Sequence, residues 1–376
     1  MAEKLTMKKQ SGFTLVEFMI ALGVTLVALA GTMMAFKDAL NTNQNVSLKS
    51  DVSDNMRAGM NLIEQDLIQA GQGIPTGGIP FPYTPGPATC LGSGGAPINR
   101  PNLTGGLTFP VCNVSLNAIE PGWELGPPIS SPDSSAGVNT DIITMMYADN
   151  TLALNNRMVN EPAVGANPGC PAGSITSNGR IVTFDATCIL FSPTGVQINP
   201  GDLIMFSNAK GNAIQEVTSV SGQTLNFAPG DGLNLNGRTD PQGTMTQLEN
   251  TDVSGNPNGT FPPTTATRIW MITYYLDNVT AAPNTRLIRR VNDTPGQPVG
   301  ETIEDLQFRY NYVDGVTNPS GQPSVPSSES ESQIRSVDVT LGARSTNPWG
   351  KDSKYLRNNF TTQVSLRSMA YVDRYK

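Results

Sequence analysis

Apolar residues dominate the chain from Phe13 to Phe36, and one charge, Glu17, lies inside that run. As a helix rising about 1.5 Å per residue the run is roughly 36 Å long, enough to cross a bilayer core of about 30 Å with some tilt. Beyond it the pattern becomes amphipathic. Val52, Met56, Met60, Ile63, Leu67 and Ala70 recur at three and four residues, while Lys49, Asp51, Asp54, Arg57, Glu64 and Asp66 take other faces. No proline interrupts Phe13 to Ala70, and Gly71, Gly73 and Pro75 supply a stop. The pattern predicts one helix of about 87 Å. Its first half suits a membrane or filament core, and its second half offers one apolar stripe to a head.

From 71 to 139 the chain is crowded with Gly, Pro, Ser and Thr, which predicts loops and short strands. From Asp141 onward strands separated by turn residues are expected. The candidates are Asp141 to Tyr147, Arg180 to Phe191, Leu203 to Ser207, Ala213 to Val220, Thr224 to Phe227, Arg268 to Leu276, Arg286 to Val291, Leu306 to Val313, Ile334 to Ala343 and Thr361 to Tyr371. Leu306, Phe308, Tyr310 and Tyr312 alternate with Gln307, Arg309 and Asn311, and Val337, Val339 and Leu341 repeat the form. Such strands bury one face in an antiparallel sheet that packs over an amphipathic helix, an α+β fold.

The residues before the apolar run give it direction. Lys4, Lys8 and Lys9 precede the span, whereas Lys37 after it is offset by Asp38, so the N-terminal segment stays cytoplasmic and the rest lies outside. A secretory signal places its small-residue cleavage site after the apolar region, but here Gly12 stands before it. The stretch Lys8, Lys9, Gln10, Ser11, Gly12, Phe13, Thr14, Leu15, Val16, Glu17 resembles the type IV prepilin signal. That resemblance implies a dedicated peptidase that cuts after Gly12, leaving 1–12 as leader, and methylates the new amine of Phe13. A start at Met7 would leave Met7 to Gly12 as a shorter leader.

Glu17 within a span costs about 2.5 to 3.5 kcal/mol on insertion scales. Cleavage would create a positive amine four residues upstream on the same helical face, so Glu17 would pair with its own chain's amine or a neighbour's. The alternative is a carboxylate close enough to the interface to stay wet. Gly23, Gly31 and Gly59 inside the helix read either as close packing against neighbouring subunits or as ordinary membrane-helix composition.

Further resemblance lies in the tail. Ile303, Glu304, Asp305, Leu306, Gln307, Phe308, Arg309, Tyr310 and later Ile334, Arg335, Ser336, Val337 resemble the PilW family of minor pilins and the J-type minor pseudopilin of type II secretion. Gly201, Asp202, Leu203, Ile204 and Ala213 to Thr218 are also PilW-like. The resemblance implies a pilin-like division into leader (1–12), transmembrane or filament-core half-helix (13–36), amphipathic half-helix (37–70), a Gly/Pro-rich loop region (71–139) and a β-rich head (140–376). Many major pilins carry a proline in the apolar half-helix; here none occurs before Pro75, which points to a minor subunit. The implied partners are the prepilin peptidase, the assembly platform and other minor and major pilins, first in the inner membrane with the head in the periplasm and then in a filament. A type II secretion pseudopilin, and a membrane-tethered adhesin or sugar-binding module, are the competing readings.

Composition narrows the chemistry. The 376-residue chain carries a net charge of −7, and loss of residues 1–12 removes Glu3 and three lysines, taking it to −9, so no basic surface serves nucleic acid. The chain has no histidine, which excludes Ser-His-Asp and Cys-His systems and His-ligated metals. No phosphate-binding loop is present, and neither enzymatic activity nor a cofactor is expected. Cys90, Cys112, Cys170 and Cys188 all fall on the exported side, where two disulfides are expected; local pairing, Cys90 with Cys112 and Cys170 with Cys188, is favoured among three connectivities. Paired C-x-x-C knuckles are missing, which argues against zinc. Asp231, Asn234, Asn236 and Asp240 around Gly232 and Gly237 offer oxygen ligands for calcium, although their spacing departs from the EF-hand and favours a turn.

Overall fold

The computed structural model describes residues 12, 14–80, 82, 115–130, 137–149, 158–159, 174–176, 178–183, 198–237, 242–278, 284–349 and 354–369. Phe13, the four cysteines and Asp240 lie outside the described residues, as does the leader before Gly12. The predicted long helix is α1, Leu15–Gln69, 55 residues and about 80 Å long. Gly71 and Gly73, at φ +83° and +70°, take the left-handed conformation that turns the chain out of the helix.

The described strands are β1 (Ile79–Pro80), β2 (Ser115–Leu116), β3 (Ile119–Gly122), β4 (Ile129–Ser130), β5 (Gly137–Val138), β6 (Ile142–Ala148), β7 (Met158–Val159), β8 (Ser174–Ile175) and β9 (Ile181–Thr183). They continue with β10 (Leu203–Asn208), β11 (Gly211–Glu216), β12 (Ser219–Ser221), β13 (Thr224–Asn226), β14 (Thr264–Asp277) and β15 (Arg286–Val291). The last four are β16 (Gln297–Glu301), β17 (Ile303–Tyr312), β18 (Ile334–Arg344) and β19 (Arg357–Ser365). The main sheet follows the order β11-β10-β14-β15-β16, with β6 and β7 also on β14 and β3 on β6. A three-stranded sheet β17-β18-β19 and a four-stranded sheet β12-β13-β9-β8 accompany it, and their pairings are antiparallel.

β14 organises the main sheet. Its first part pairs with β10 and its second with β15, while Ile272 to Tyr274 are also held by β6 on the opposite side. Its first four residues, Thr264 to Thr267, lie ahead of the predicted strand because Thr-Thr-Ala-Thr carries no apolar alternation; partners on β10 and β7 extend it there. The predicted strand Ala213 to Val220 is instead two strands. After Glu216 the chain leaves the main sheet, Val217 N–H donating to Asp202 and Thr218 N–H to Asn226, and enters the four-stranded sheet as β12. The last predicted strand begins four residues early, at Arg357, and ends at Ser365.

The stripe of α1 forms the core with the sheets. Val52, Met56, Met60, Ile63 and Leu67 are buried with Tyr274 and Leu287 of the main sheet and Phe308, Val339, Leu341 and Val364 of the three-stranded sheet. Burying five such side chains contributes on the order of 10 kcal/mol. The expected alternation is present: Leu306, Phe308, Tyr310 and Tyr312 of β17 and Val337, Val339 and Leu341 of β18 point inward. A second core lies under the four-stranded sheet, where Phe206 and Phe227 meet edge to face at 5.5 Å.

Candidate functional site

From Leu15 to Asp51 no residue of α1 is buried, and only Asn45 and Leu48 are half-buried. This segment, about 55 Å long, leaves the head as an uncovered helix whose apolar side chains from Leu15 to Phe36 are exposed. It is long and apolar enough to cross a membrane. The expected anchor is therefore a free helix rather than the core of the head.

Gly12 and Glu17 flank the start of this helix. A Cβ built on Gly12 meets nothing within 4 Å, so the residue before the expected cleavage point is sterically open. Thr14 is the N-cap. Its Oγ1 accepts the Glu17 N–H at 3.3 Å, while the Glu17 carboxylate accepts the Thr14 N–H at 3.0 Å and the Thr14 hydroxyl at 2.9 Å. This reciprocal capping box satisfies donors that a helix start leaves open. Thus Glu17 has partners three residues upstream within its own chain. The signal for it, Thr-x-x-Glu ahead of an apolar run, is present in the sequence but was not among the features read there.

The other end of α1 carries a feature that residue type alone misplaced. Asp66, expected on a polar face, is 4% exposed. One of its oxygens accepts Tyr274 OH at 2.6 Å and Arg289 Nε at 2.7 Å, and the other accepts Arg289 Nη2 at 3.0 Å and Tyr147 OH at 3.3 Å. Those partners come from β14, β15 and β6, so one carboxylate ties the helix to three strands. Burial, then the charge of Asp66, pushes both phenols above their ordinary range and keeps them protonated donors. Burial pulls Arg289 down, but the hydrogen bonds and charge of Asp66 outweigh it and raise the guanidinium. The available clue was position: Asp66 stands three residues after Ile63 and four before Ala70, on the apolar stripe itself. Gly59 lies on the same face. A Cβ there would stand 2.8 Å from Leu287 Cδ2 and 3.6 Å from Leu341 Cδ2, so its hydrogen lets helix and sheet approach.

Further charges pin the main sheet and the three-stranded sheet. Arg268 binds Asp149, reaches Asp202 at 3.4 Å and lies over the Trp270 ring at 4.5 Å. Burial, the largest influence, raises the Asp202 carboxyl despite that guanidinium. Arg344 and Arg357 each bind Glu304 at 2.9 Å, joining β18 and β19 to β17.

Of the residues proposed from sequence as calcium ligands, Asp231 and Asn236 bond to the main chain. Asp231 accepts the N–H groups of Leu235 and Asn236 at 2.7 and 2.9 Å. Asn236 accepts the Glu216 N–H at 2.9 Å and donates to the Glu216 carbonyl at 2.7 Å. Asn234 adopts φ +59° in the turn. Among the described residues no group of three or more acidic, histidine or cysteine side chains is arranged to hold a metal. Glu216, fixed against the Leu233 N–H at 3.0 Å, was not singled out by sequence; burial, followed by Asp231 and Asp293, pushes its carboxyl up to about 7. Burial also raises Asp231. A cleft of about 40 Å³ between Gly71, Ile74, Asn117, Ser332 and Met369 has room for ordered water, far below the volume of a small-molecule site.

Comparison with known proteins isolates the same end of the chain. Residues 7–33 match the prokaryotic N-terminal methylation motif. No curated protein matches the chain significantly. Among solved structures, a type IV-like pilin from Thermus thermophilus aligns with 46% of this chain and 87% of its own length, at 8% identity and a TM-score of 0.17, too low to establish a common fold. The methylation motif at the head of α1, whose apolar first half is uncovered and whose second half packs on a large antiparallel β-sheet head, supports a pilin processed for pilus or pseudopilus assembly.

Proposed function

We propose that this chain is a minor pilin of the PilW type, cut after Gly12, N-methylated on Phe13, and built into a type IV pilus at its start or tip. The observation that carries the reading is the methylation motif over residues 7–33 feeding directly into a helix whose apolar half has no cover from its own head. A helix with that much exposed apolar surface needs a bilayer before assembly and neighbouring helices after it. The lysines of the leader favour an inner-membrane start with the head in the periplasm. In this mechanism the peptidase frees the Phe13 amine, and the Glu17 carboxylate exchanges part of its capping box for that amine or a neighbour's. The exchange neutralises both charges as the helix slides from lipid into the filament. The assembly platform and other minor and major pilins are the expected partners. The absence of a proline before Pro75 supports a minor rather than a major subunit.

N-terminal mass analysis of the membrane-extracted protein tests the assignment. An N-methylated Phe13 is the expected terminus, and a mature chain retaining residues 1–12 would refute it. Recovery of the processed chain with pilus subunits, rather than with the subunits of a type II secretion system, separates the pilus from the pseudopilus reading.

A further inference from the structure

β19 stands apart from the other sheet edges. Leu366 N–H donates to Arg335 and Ser345 N–H to Leu356, and the register between those bonds is unbroken. Backbone groups of Asn358, Phe360, Thr362 and Val364 therefore turn to β18, and those of Asn359, Thr361 and Gln363 turn away from it. Residues 357–361 are exposed, Phe360 at 44%, so neither sheet face covers them. From Asn358 to Ser365 there is no charge, proline or glycine. Proteins normally blunt an open edge with such residues or with a cover.

β8 and β12, at the edges of the four-stranded sheet, are only two and three residues long, and three longer edges are blunted in other ways. β16 carries Pro298 and faces a bulge between Leu287 and Ile288. β17 is paired along its outer side: Leu306 O accepts Asp141 N–H, Tyr310 exchanges bonds with Gln322, and Tyr312 N–H reaches Pro319. The end of β11 is covered by Asn236, which bonds both main-chain groups of Glu216.

We propose that β19 is a strand-addition site that takes an extended, uncharged segment of a different subunit in the assembly; this rests on the pilin reading above. A row of outward N–H and C=O groups is complemented by another extended backbone, and the uncharged stretch from Asn358 to Ser365 offers no partner to a charge on the incoming strand. A second copy fits poorly. Two β19 edges meeting antiparallel, the stronger pairing, are related by rotation about the sheet normal. The sheet packs its inner face on α1, so that rotation reverses α1 and points the two anchors in opposite directions.

Hydrogen exchange across residues 357–366 tests the site, comparing full-length protein in detergent with the same chain in assembled filaments. The amides of Asn359, Thr361 and Gln363 should exchange at least tenfold more slowly in the filament, with those of Phe360 and Thr362 unchanged. Thr361→Pro removes an N–H that faces away from β18, so cleavage and melting should hold while incorporation falls at least tenfold. Thr361→Ala, which keeps the N–H, should incorporate normally. A processed, incorporated chain with the three amides as fast as in detergent, or normal incorporation of Thr361→Pro, overturns the site. Slow exchange already present in detergent homodimers overturns the choice of a different subunit. A chain that is never processed fails at the earlier step, refuting the pilin reading and this site with it.

Discussion

Replacing Asp66 by alanine removes the charge that clamps α1 to β6, β14 and β15. Asp66 accepts four hydrogen bonds while almost wholly buried, and its loss leaves two phenols and a guanidinium without their acceptor. Breaking a fully buried pair costs about 3–5 kcal/mol. The Arg289 side chain is 25% exposed and recovers some hydration, which reduces the expected loss to about 2–4 kcal/mol. For a chain of 376 residues that corresponds to roughly 3–5 °C in melting temperature. Urea unfolding of the detergent-solubilised chain, followed by near-ultraviolet circular dichroism, measures it. Asp66→Asn keeps the shape and one acceptor and should lose about half as much. In a double-mutant cycle with Arg289→Met the two losses should fall short of additivity by at least about 1 kcal/mol, because the double variant buries no orphan charge. A loss under about 0.5 kcal/mol for Asp66→Ala, or strict additivity, would refute the clamp.

Other consequences are equally specific. Glu216 titrates near 7 in the folded chain against 4.5 unfolded, so the native state binds the extra proton: its contribution is full below about pH 4.5 and is lost as pH rises to about 7. That is on the order of 3 kcal/mol, and Glu216→Gln should flatten the slope in melting curves taken from pH 4.5 to 8; an unchanged slope would sink the assignment. Gly59→Leu should destabilise by about 2 kcal/mol or more through overpacking against Leu287, measured by the same unfolding curves, and a neutral result would mean the helix shifts freely on the sheet. Glu17→Ala should leave cleavage intact yet reduce recruitment into the filament, and undiminished piliation with normal incorporation counts against charge pairing. Gly12 replaced by a bulky residue should trap full-length protein in the membrane, visible as unshifted mass; normal cleavage would count against the prepilin assignment.

The long helix, its apolar half, the buried stripe from Val52 to Leu67 and the alternating strands β17 and β18 were legible in the sequence, because each is a local periodicity set by one buried surface. The methylation motif was legible for the same reason, being a short run of adjacent residues. Features without a local period escaped. β19 starts at Arg357 rather than Thr361 because an edge exposed on both faces leaves no alternation to read. The break after Glu216 depends on a change of sheet, and a run of apolar and β-prone residues does not encode which sheet receives it. Asp66 belonged to a polar face by composition and to the core by geometry; only the convergence of Tyr147, Tyr274 and Arg289 from distant strands makes its burial favourable. Sequence alone determined that this chain has an anchor and a head. Tertiary structure decided how the two are joined and, among the described residues, that β19 forms a long open edge, since both depend on contacts between segments far apart in the chain.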